Sequence, residues 1–139
     1  MRALAAAAAV IAITGAGLAA DPPPVSILPV TRFNATVTGQ RIVVPNRPDV
    51  IVSLATIQPG GRLPEHLHRY PHFVYVLEGT ATLVNTVTHK SQQIAQGRFV
   101  AEPQNTWHYG VNNGKVVLKI LGIDQVPAGT KSNLTPRTP

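Results

Sequence analysis

Three of the chain's five histidines lie within seven residues, directly before an apolar, β-branched run. They are His66, His68 and His72, in the stretch PEHLHRYPHFVYVLEG. In an extended strand alternate side chains share a face, with Cα atoms about 6.6 Å apart, so His66 and His68 can converge on one ion. His72 has the same parity. Neutral imidazole binds zinc, copper, iron and nickel, and the spacing therefore predicts one side of a metal site.

A fourth histidine, His108, lies in the later stretch PQNTWHYGVNN, on a second strand that a barrel can bring beside the first. The fifth, His89, falls in a polar hairpin segment and is predicted to be solvated. Glu102, just before Pro103, is the one carboxylate near either segment that parity does not exclude from the pocket. For Glu102 the favoured interpretation is a turn residue in solvent.

Short strands are the elements that must position these histidines. The chain has 139 residues, 13 prolines, 11 glycines and no cysteine, which suits a single β-rich domain without disulfides or thiolate sites. Turn residues separate β-branched runs, and no window beyond the N-terminus shows a convincing helical period. The candidate strands are 30–37, 41–44, 49–57, 73–78, 80–87, 91–95, 98–102, 107–112 and 115–123. Eight or nine strands at this spacing predict an all-β sandwich or barrel.

In order and spacing, the two histidine segments resemble the two motifs of the cupin family. The first motif has a glycine, five residues, His-x-His, three or four residues, a glutamate, six residues and a glycine. Its positions here are Gly60, His66, His68, His72 and Gly79. The second has a glycine, five residues, Pro-x-Gly, two residues, a histidine, three residues and an asparagine. Its positions here are Gly97, Pro103, Asn105, His108 and Asn112. The resemblance implies a cupin-type double-stranded β-helix, a jelly-roll barrel, over residues 25–124.

Two positions depart from the family pattern. Asn105 replaces a glycine, and asparagine tolerates the left-handed turn conformation that such a glycine serves. His72 stands where the family has its glutamate ligand. The chain thereby resembles a four-histidine subset of small cupins, which implies that His66, His68, His72 and His108 hold one divalent metal: iron, manganese, zinc, nickel or copper. The alternative for His72 is a satisfied polar residue beside an unused metal position.

The pocket predicted around this site is small and apolar. By parity its wall contains Val74, Val76, Val100 and Gly110, as expected for a modest organic ligand. The aromatic residues Phe73, Tyr75 and Trp107 have the opposite parity and are expected to face away.

Two functions follow from the resemblance. One is a metal-dependent enzyme of dioxygenase, isomerase or lyase type, acting on a small organic compound, although no separate acid or base is visible. The other is a non-catalytic domain that binds a metal or small ligand. Cupins commonly pair through edge strands, and β-branched segments at both ends need covering, which predicts a homodimer.

The first 20 residues read as a secretory signal peptide, with Arg2, an alanine-rich apolar run and small residues before DPPP. The mature chain is then expected to be secreted or periplasmic, with no membrane segment. The formal net charge is +6, but the basic residues are scattered, which argues against a nucleic-acid partner. Residues 125–139 are polar and proline-bearing and are expected to lie along the surface or to be disordered.

Overall fold

The computed structural model describes residues 25–138, and over that range the chain forms nine strands and no helix. The strands are β1 (Asp49–Ile57), β2 (His66–His68), β3 (His72–Glu78), β4 (Thr80–Asn85), β5 (Ser91–Ala95), β6 (Phe99–Ala101), β7 (His108–Val111), β8 (Leu118–Val126) and β9 (Leu134–Pro136). The expected signal peptide, residues 1–20, lies outside the described residues. Within the described range no helix is long and apolar enough to cross a membrane.

The strands form two antiparallel sheets. One has the order β1-β8-β3-β6 and the other the order β5-β4-β7-β2-β9. Apolar side chains from both sheets meet between them in a core of Ile57, Val74, Val76, Ala81, Leu83, Ile94, Leu118 and Ile120. The all-β, double-sheet prediction is confirmed.

Strand β8 shows why these residues form strands. Its side chains alternate between buried and more exposed from Leu118 to Val126, as expected for a strand with one face against a core. It pairs with β1 on one side and β3 on the other, so it is central in its sheet. The same alternation places Asp124 on the inner face, beside Gly122.

The strands predicted at 30–37 and 41–44 do not form. Only an isolated bridge joins Ala35 to Arg41, because Gly39 adopts a φ of 85° and the chain turns sharply back. The amide of Thr36 donates to the carbonyl of Gln40 at 2.8 Å, which closes this loop. Beta-branched composition predicted strands here, but the turn leaves too few residues on either side for a ladder.

The C-terminal segment contributes a strand that its composition does not indicate. Residues 134–136 form β9 and pair with the whole of β2. Asn133, just before β9, is buried with 4 % of its surface exposed. Its Nδ2 donates to the carbonyl of Tyr70 and its Oδ1 accepts from the Tyr70 amide, both at 2.9 Å. These hydrogen bonds secure residues 130–136, the C-terminal strap, against the loop between β2 and β3.

A tight turn at Gly79 joins β3 to β4. Gly79 has a φ of 80°, and a Cβ atom added there would lie 2.9 Å from the carbonyl oxygen of Val117. Gly97 has nearly the same φ, 79°, but open space around it. The two glycines therefore separate the cost of the left-handed conformation from the cost of a backbone clash.

We expect Gly97→Ala to lower the free energy of unfolding by about 1 kcal/mol, the cost of a left-handed alanine. Gly79→Ala should lower it by about 3 kcal/mol, because the Val117 backbone must also move. Urea denaturation followed by circular dichroism measures both. Equal losses in the two variants would contradict the close approach at Gly79.

Candidate metal centre

Three buried histidines meet inside the barrel. His66 and His68 lie on β2, and β7 brings His108 directly opposite His66 in the antiparallel register. Their exposed fractions are 3 %, 3 % and 0 %. The three ring centroids lie between 4.7 and 5.3 Å apart. Strand pairing therefore unites two sequence segments that are forty residues apart on one small interior patch.

Glu102 joins these histidines, contrary to the prediction of a solvent-exposed turn residue. Its Oε2 atom lies 3.1 Å from His108 Nε2 and 3.3 Å from His68 Nε2. The backbone explains the position: the Glu102 amide donates to the His72 carbonyl at 2.9 Å, and Pro103 is fully buried. Glu102 shares its parity with Val100, which pairs with the inward-facing Val74, and that parity is the signal in the sequence that favours the interior.

The donor atoms of this group are gathered closely enough for a shared ion to be considered. One ligand atom from each of His66, His68, Glu102 and His108 lies within 4.8 Å of the others. Atoms bound to one ion at about 2.1 Å lie about 3.0 to 3.4 Å from their neighbours. Imidazole nitrogens with one carboxylate oxygen suit a divalent transition metal.

The histidine rings are also oriented for ligation. His66 Nδ1 lies 2.7 Å from the Pro64 carbonyl oxygen, and His108 Nδ1 lies 2.7 Å from the Thr106 carbonyl oxygen. A carbonyl only accepts, so each Nδ1 carries a hydrogen and each Nε2 is the nitrogen left available to an ion. Neither nitrogen of the buried His68 ring makes a hydrogen bond within the described chain. An ion would satisfy a nitrogen that is otherwise costly to bury.

His72 lies at the edge of this group. Its Nε2 is 4.0 Å from Glu102 Oε2, and its ring stacks on His68 with centroids 4.1 Å apart. Its Nδ1 donates to Asp124 Oδ1 at 2.8 Å. His68, His72 and Asp124 form a second set of close donor atoms. The structure thus gathers all four predicted histidines, and it places His72 between the main group and Asp124.

Sequence reasoning missed Asp124 and Asn133. Asp124 lies opposite His72 in the register of β8 and β3, and Asn133 Nδ2 donates to Asp124 Oδ1 at 2.7 Å. Alternation along β8 indicates that Asp124 faces inward, so this residue was within reach of a parity argument. Asn133 carried no comparable signal, because it lies in a polar segment with no strand pattern.

Burial and neighbouring charged groups shift the pKa values of the histidines and of Glu102, and the two effects often oppose each other. Burial lowers the pKa of His66 to about 4 and also lowers the pKa of His68, so both rings are neutral near pH 7. Burial also disfavours the charged form of His72, but the Asp124 hydrogen bond and the Glu102 charge outweigh it and raise the pKa. For Glu102, burial opposes ionisation, yet contacts with His108 and His68 hold its pKa well below the usual range.

His66, His68 and His72 line a cavity of about 310 Å³ between the sheets. Of the predicted wall, Val74 and Gly110 line this cavity, while Val76 is buried in the core beside it. Val100 packs against the core without lining the cavity.

The aromatic residues face away from the cavity, as predicted. Phe73 stacks on Phe99 with centroids 5.9 Å apart, and Arg137 lies over the Trp107 ring at 5.4 Å. Tyr75 is tilted against the Phe99 ring, with centroids 6.3 Å apart. Asn105 adopts a φ of 50°, which confirms the left-handed turn conformation expected there.

The protein is thus a small double-sheet β-barrel, and a cluster of three histidines and one glutamate that could hold a metal ion lies in its interior. Residues 53–124 match the Cupin_2 family, described as the cupin domain. That match spans more than half of the chain, and the protein belongs to the cupin family. The resemblance of the two histidine motifs is thereby confirmed.

Known proteins share this domain at moderate similarity. Nectarin-1 from Nicotiana plumbaginifolia is 34 % identical over 112 residues, which cover 73 % of this chain and 48 % of Nectarin-1. The chain therefore spans about half the length of that relative. The polyketide cyclase RemF from Streptomyces resistomycificus superimposes with a TM-score of 0.53 at 19 % identity, over 70 % of this chain and 69 % of RemF. Oxalate decarboxylase from Lactobacillus farciminis gives 0.53 at 22 % identity, over 63 % and 26 %. Both structures show a shared fold.

We expect the metal-free protein to lose stability as pH falls from about 6.5 to 4. The unfolded chain takes up a proton at His66 near pH 6.5, whereas the folded ring resists protonation until about pH 4. Protonation of His66 alone changes the free energy of unfolding by at most about 1.4 kcal/mol per pH unit. His72, whose pKa is raised, acts in the opposite sense. Its contribution is present below pH 6.5 and lost as pH rises through its folded pKa.

Denaturation in buffers containing a chelator, at several pH values, measures this slope. His66→Gln should make it shallower, because glutamine does not titrate. The matched control is His89→Asn, since His89 is exposed, lies far from the site in sequence and adopts a φ of 57° that asparagine tolerates. An unchanged slope in His66→Gln would contradict the assignment.

Proposed function

We propose that this cupin binds one divalent transition metal at the centre described above and is a metal-dependent enzyme acting on a small organic compound. The observation that carries the proposal is that ligand atoms of His66, His68, His108 and Glu102 lie within 4.8 Å of one another, beside a cavity that all of these residues except His108 line. The ion is one of iron, manganese, zinc, nickel and copper, all of which accept imidazole. The cupin fold by itself does not set the chemistry.

His66, His68 and His108 would hold the ion, with His72 as the fourth imidazole. Support for His72 comes from its Nδ1 hydrogen bond to Asp124, the arrangement that fixes metal-ligating histidines elsewhere. Asn133 in turn orients Asp124. Glu102 lies near enough to supply a carboxylate oxygen to the same ion.

The ion would supply Lewis-acid chemistry or a binding position for dioxygen or a substrate oxygen. The chain's own residues would do the rest. Glu102 stays ionised because its pKa is lowered, so its carboxylate can bind the ion or accept a hydrogen bond from a bound compound. The buried position of His68 and His108 keeps water from the donor atoms. These roles suit a dioxygenase, isomerase or lyase.

The alternative is a non-catalytic cupin that binds a metal or small ligand. It needs the same four histidines and the same cavity, but no turnover. Glu102 serves both functions, because an ionised carboxylate can bind the ion with or without turnover, so an assay of turnover separates the two.

We also propose export of the chain through removal of residues 1–20, which leaves a secreted or periplasmic protein. The support is the sequence pattern of a charged start, an apolar run and small residues. The mature chain then consists of the cupin domain of residues 25–124 and a C-terminal segment, residues 125–139, that includes β9. Its partners would be a small molecule and a second copy of itself, with no nucleic acid or membrane.

The homodimer is supported by an apolar outer stripe on the edge strand β1. Val50, Val52 and Leu54 lie on its outer face and are 57 %, 60 % and 63 % exposed. Over the described range β1 pairs only with β8, so one edge of its backbone is open. Ile27 and Leu28, in the segment before β1, are 89 % and 81 % exposed. A second copy of the chain would cover both regions.

We expect purified protein to bind one equivalent of metal, with a ranking of variants that tests each ligand. His68→Ala should weaken binding at least as much as His72→Ala, because the His68 ring contacts Glu102 and also stacks on His72. His72→Ala should weaken binding without abolishing it and should keep β-sheet circular dichroism. Asn105→Gly should bind as the parent does, because Asn105 serves a turn. Chelator competition gives the order, and parent-like binding in His72→Ala would leave a site without His72.

The pH dependence adds a second readout for His72. Ligation must displace a proton from a ring whose pKa is raised, so affinity should rise more steeply with pH in the parent than in His72→Ala. The loaded protein also separates the two functions. Oxygen uptake or product formation with small hydroxy and keto compounds, lost in His68→Ala, supports the enzyme. Binding of such compounds without turnover supports the alternative.

The double variant Val52→Glu, Leu54→Glu should shift the protein from dimer to monomer, because two charges would be buried in the interface. Val87→Glu is the matched control, since Val87 is 61 % exposed in the turn after β4. Light scattering of all three proteins measures the mass. A monomeric parent at high concentration would contradict the proposed homodimer.

A further inference from the structure

The cavity beside the candidate metal centre lies within the apolar core of the barrel. Five of the eight residues in the apolar core also line it: Val74, Ala81, Leu83, Ile94 and Ile120. Protein interiors are normally filled to crystal-like density, so open space of about 310 Å³ at this position is a feature to be explained. It has room for roughly ten water-sized groups at about 30 Å³ each.

The polar groups of this cavity are confined to two places. One is the histidine and carboxylate group with Asp124 and Asn133, whose side chains are hydrogen-bonded to each other. The other is an exposed rim that includes Ser53, Lys131 and Ser132. The other residues that line the cavity, among them Leu63, Leu83 and Ile120, offer no side-chain hydrogen-bond donor or acceptor. Hydroxyl or carboxyl groups placed along it would lose their hydrogen bonds to water without replacement.

From this distribution we infer that the cavity binds an organic ligand that is apolar along most of its length and carries its oxygen donors at the end facing the metal centre. The inference rests on the proposed metal site and specifies the chemical class of its ligand. Sugars, sugar phosphates and short dicarboxylates do not fit this pattern, because they carry polar groups throughout. An aliphatic or aromatic compound with one chelating end does fit it.

A series of alkyl hydroxamates tests the inference, because each member binds metal through the same two oxygens and differs only in its tail. The probe is Zn²⁺-loaded protein, titrated calorimetrically with acetohydroxamate, butanohydroxamate and hexanohydroxamate. Each added methylene should tighten binding about three- to fourfold, or about a hundredfold across the series. The 6-hydroxy analogue of hexanohydroxamate should lose most of that gain.

Gly110→Val gives an independent readout from the cavity wall. A Cβ atom at Gly110 would meet only Leu63 Cδ1, at an ordinary 3.7 Å, and its φ lies outside the left-handed region, so the strand accepts a side chain. The added methyl groups should fill part of the cavity and remove most of the gain for hexanohydroxamate. Acetohydroxamate should lose much less affinity, because its single methyl group occupies little of the cavity.

The outcomes separate the inference from the proposed function. Protein that binds Zn²⁺ and acetohydroxamate but gains nothing from longer tails overturns the inference and leaves the metal site standing. A hexanohydroxamate gain that survives in folded Gly110→Val also overturns it, because the tail then lies elsewhere. Protein that takes up no Zn²⁺ overturns both. The series on the parent chain decides the question even if Gly110→Val does not fold.

Discussion

The antiparallel register of β2 and β7 is the constraint on which the site depends. It sets His66 opposite His108, and the two-residue repeat of β2 then turns His68 to the same face. Buried imidazoles are costly unless their nitrogens are satisfied, and backbone carbonyls satisfy one nitrogen on His66 and one on His108. A slip of one residue would turn these rings out of the barrel, so strand pairing and site geometry are a single requirement.

The charged and titratable groups beside these strands contact one another, which offsets the cost of burying them. Contacts with His108 and His68 lower the pKa of Glu102, burial lowers the pKa of His68, and the hydrogen bond to Asp124 raises the pKa of His72. The C-terminal strap takes part because Asn133 donates to Asp124 and holds the loop before β3. A segment of polar composition thereby contributes to the innermost part of the barrel.

The barrel combines this polar group with an incompletely filled core. Residues such as Leu83 and Ile94 pack against the opposite sheet and also border the cavity, so the space costs packing energy that a filled core would gain. Stability is carried elsewhere, by the long ladder between β1 and β8 and by fully buried residues such as Leu118. The space lies beside the cluster of potential metal ligands, where the proposed small molecule would bind.

The sequence by itself determined the cupin family, the all-β class and the grouping of the four histidines at one site. Motif spacing and strand parity are local properties of the chain, so they can be read without a structure. It also held the parity signal for Glu102, although its position before a proline favoured a turn in solvent. Only the tertiary structure decided that Glu102 lies among the histidines, that Asp124 faces His72 and that β9 covers β2. These contacts join residues that are distant in sequence, and their pairing depends on which strands become neighbours. Local pattern does not encode that choice, because it is set by the closure of the two sheets around a shared core.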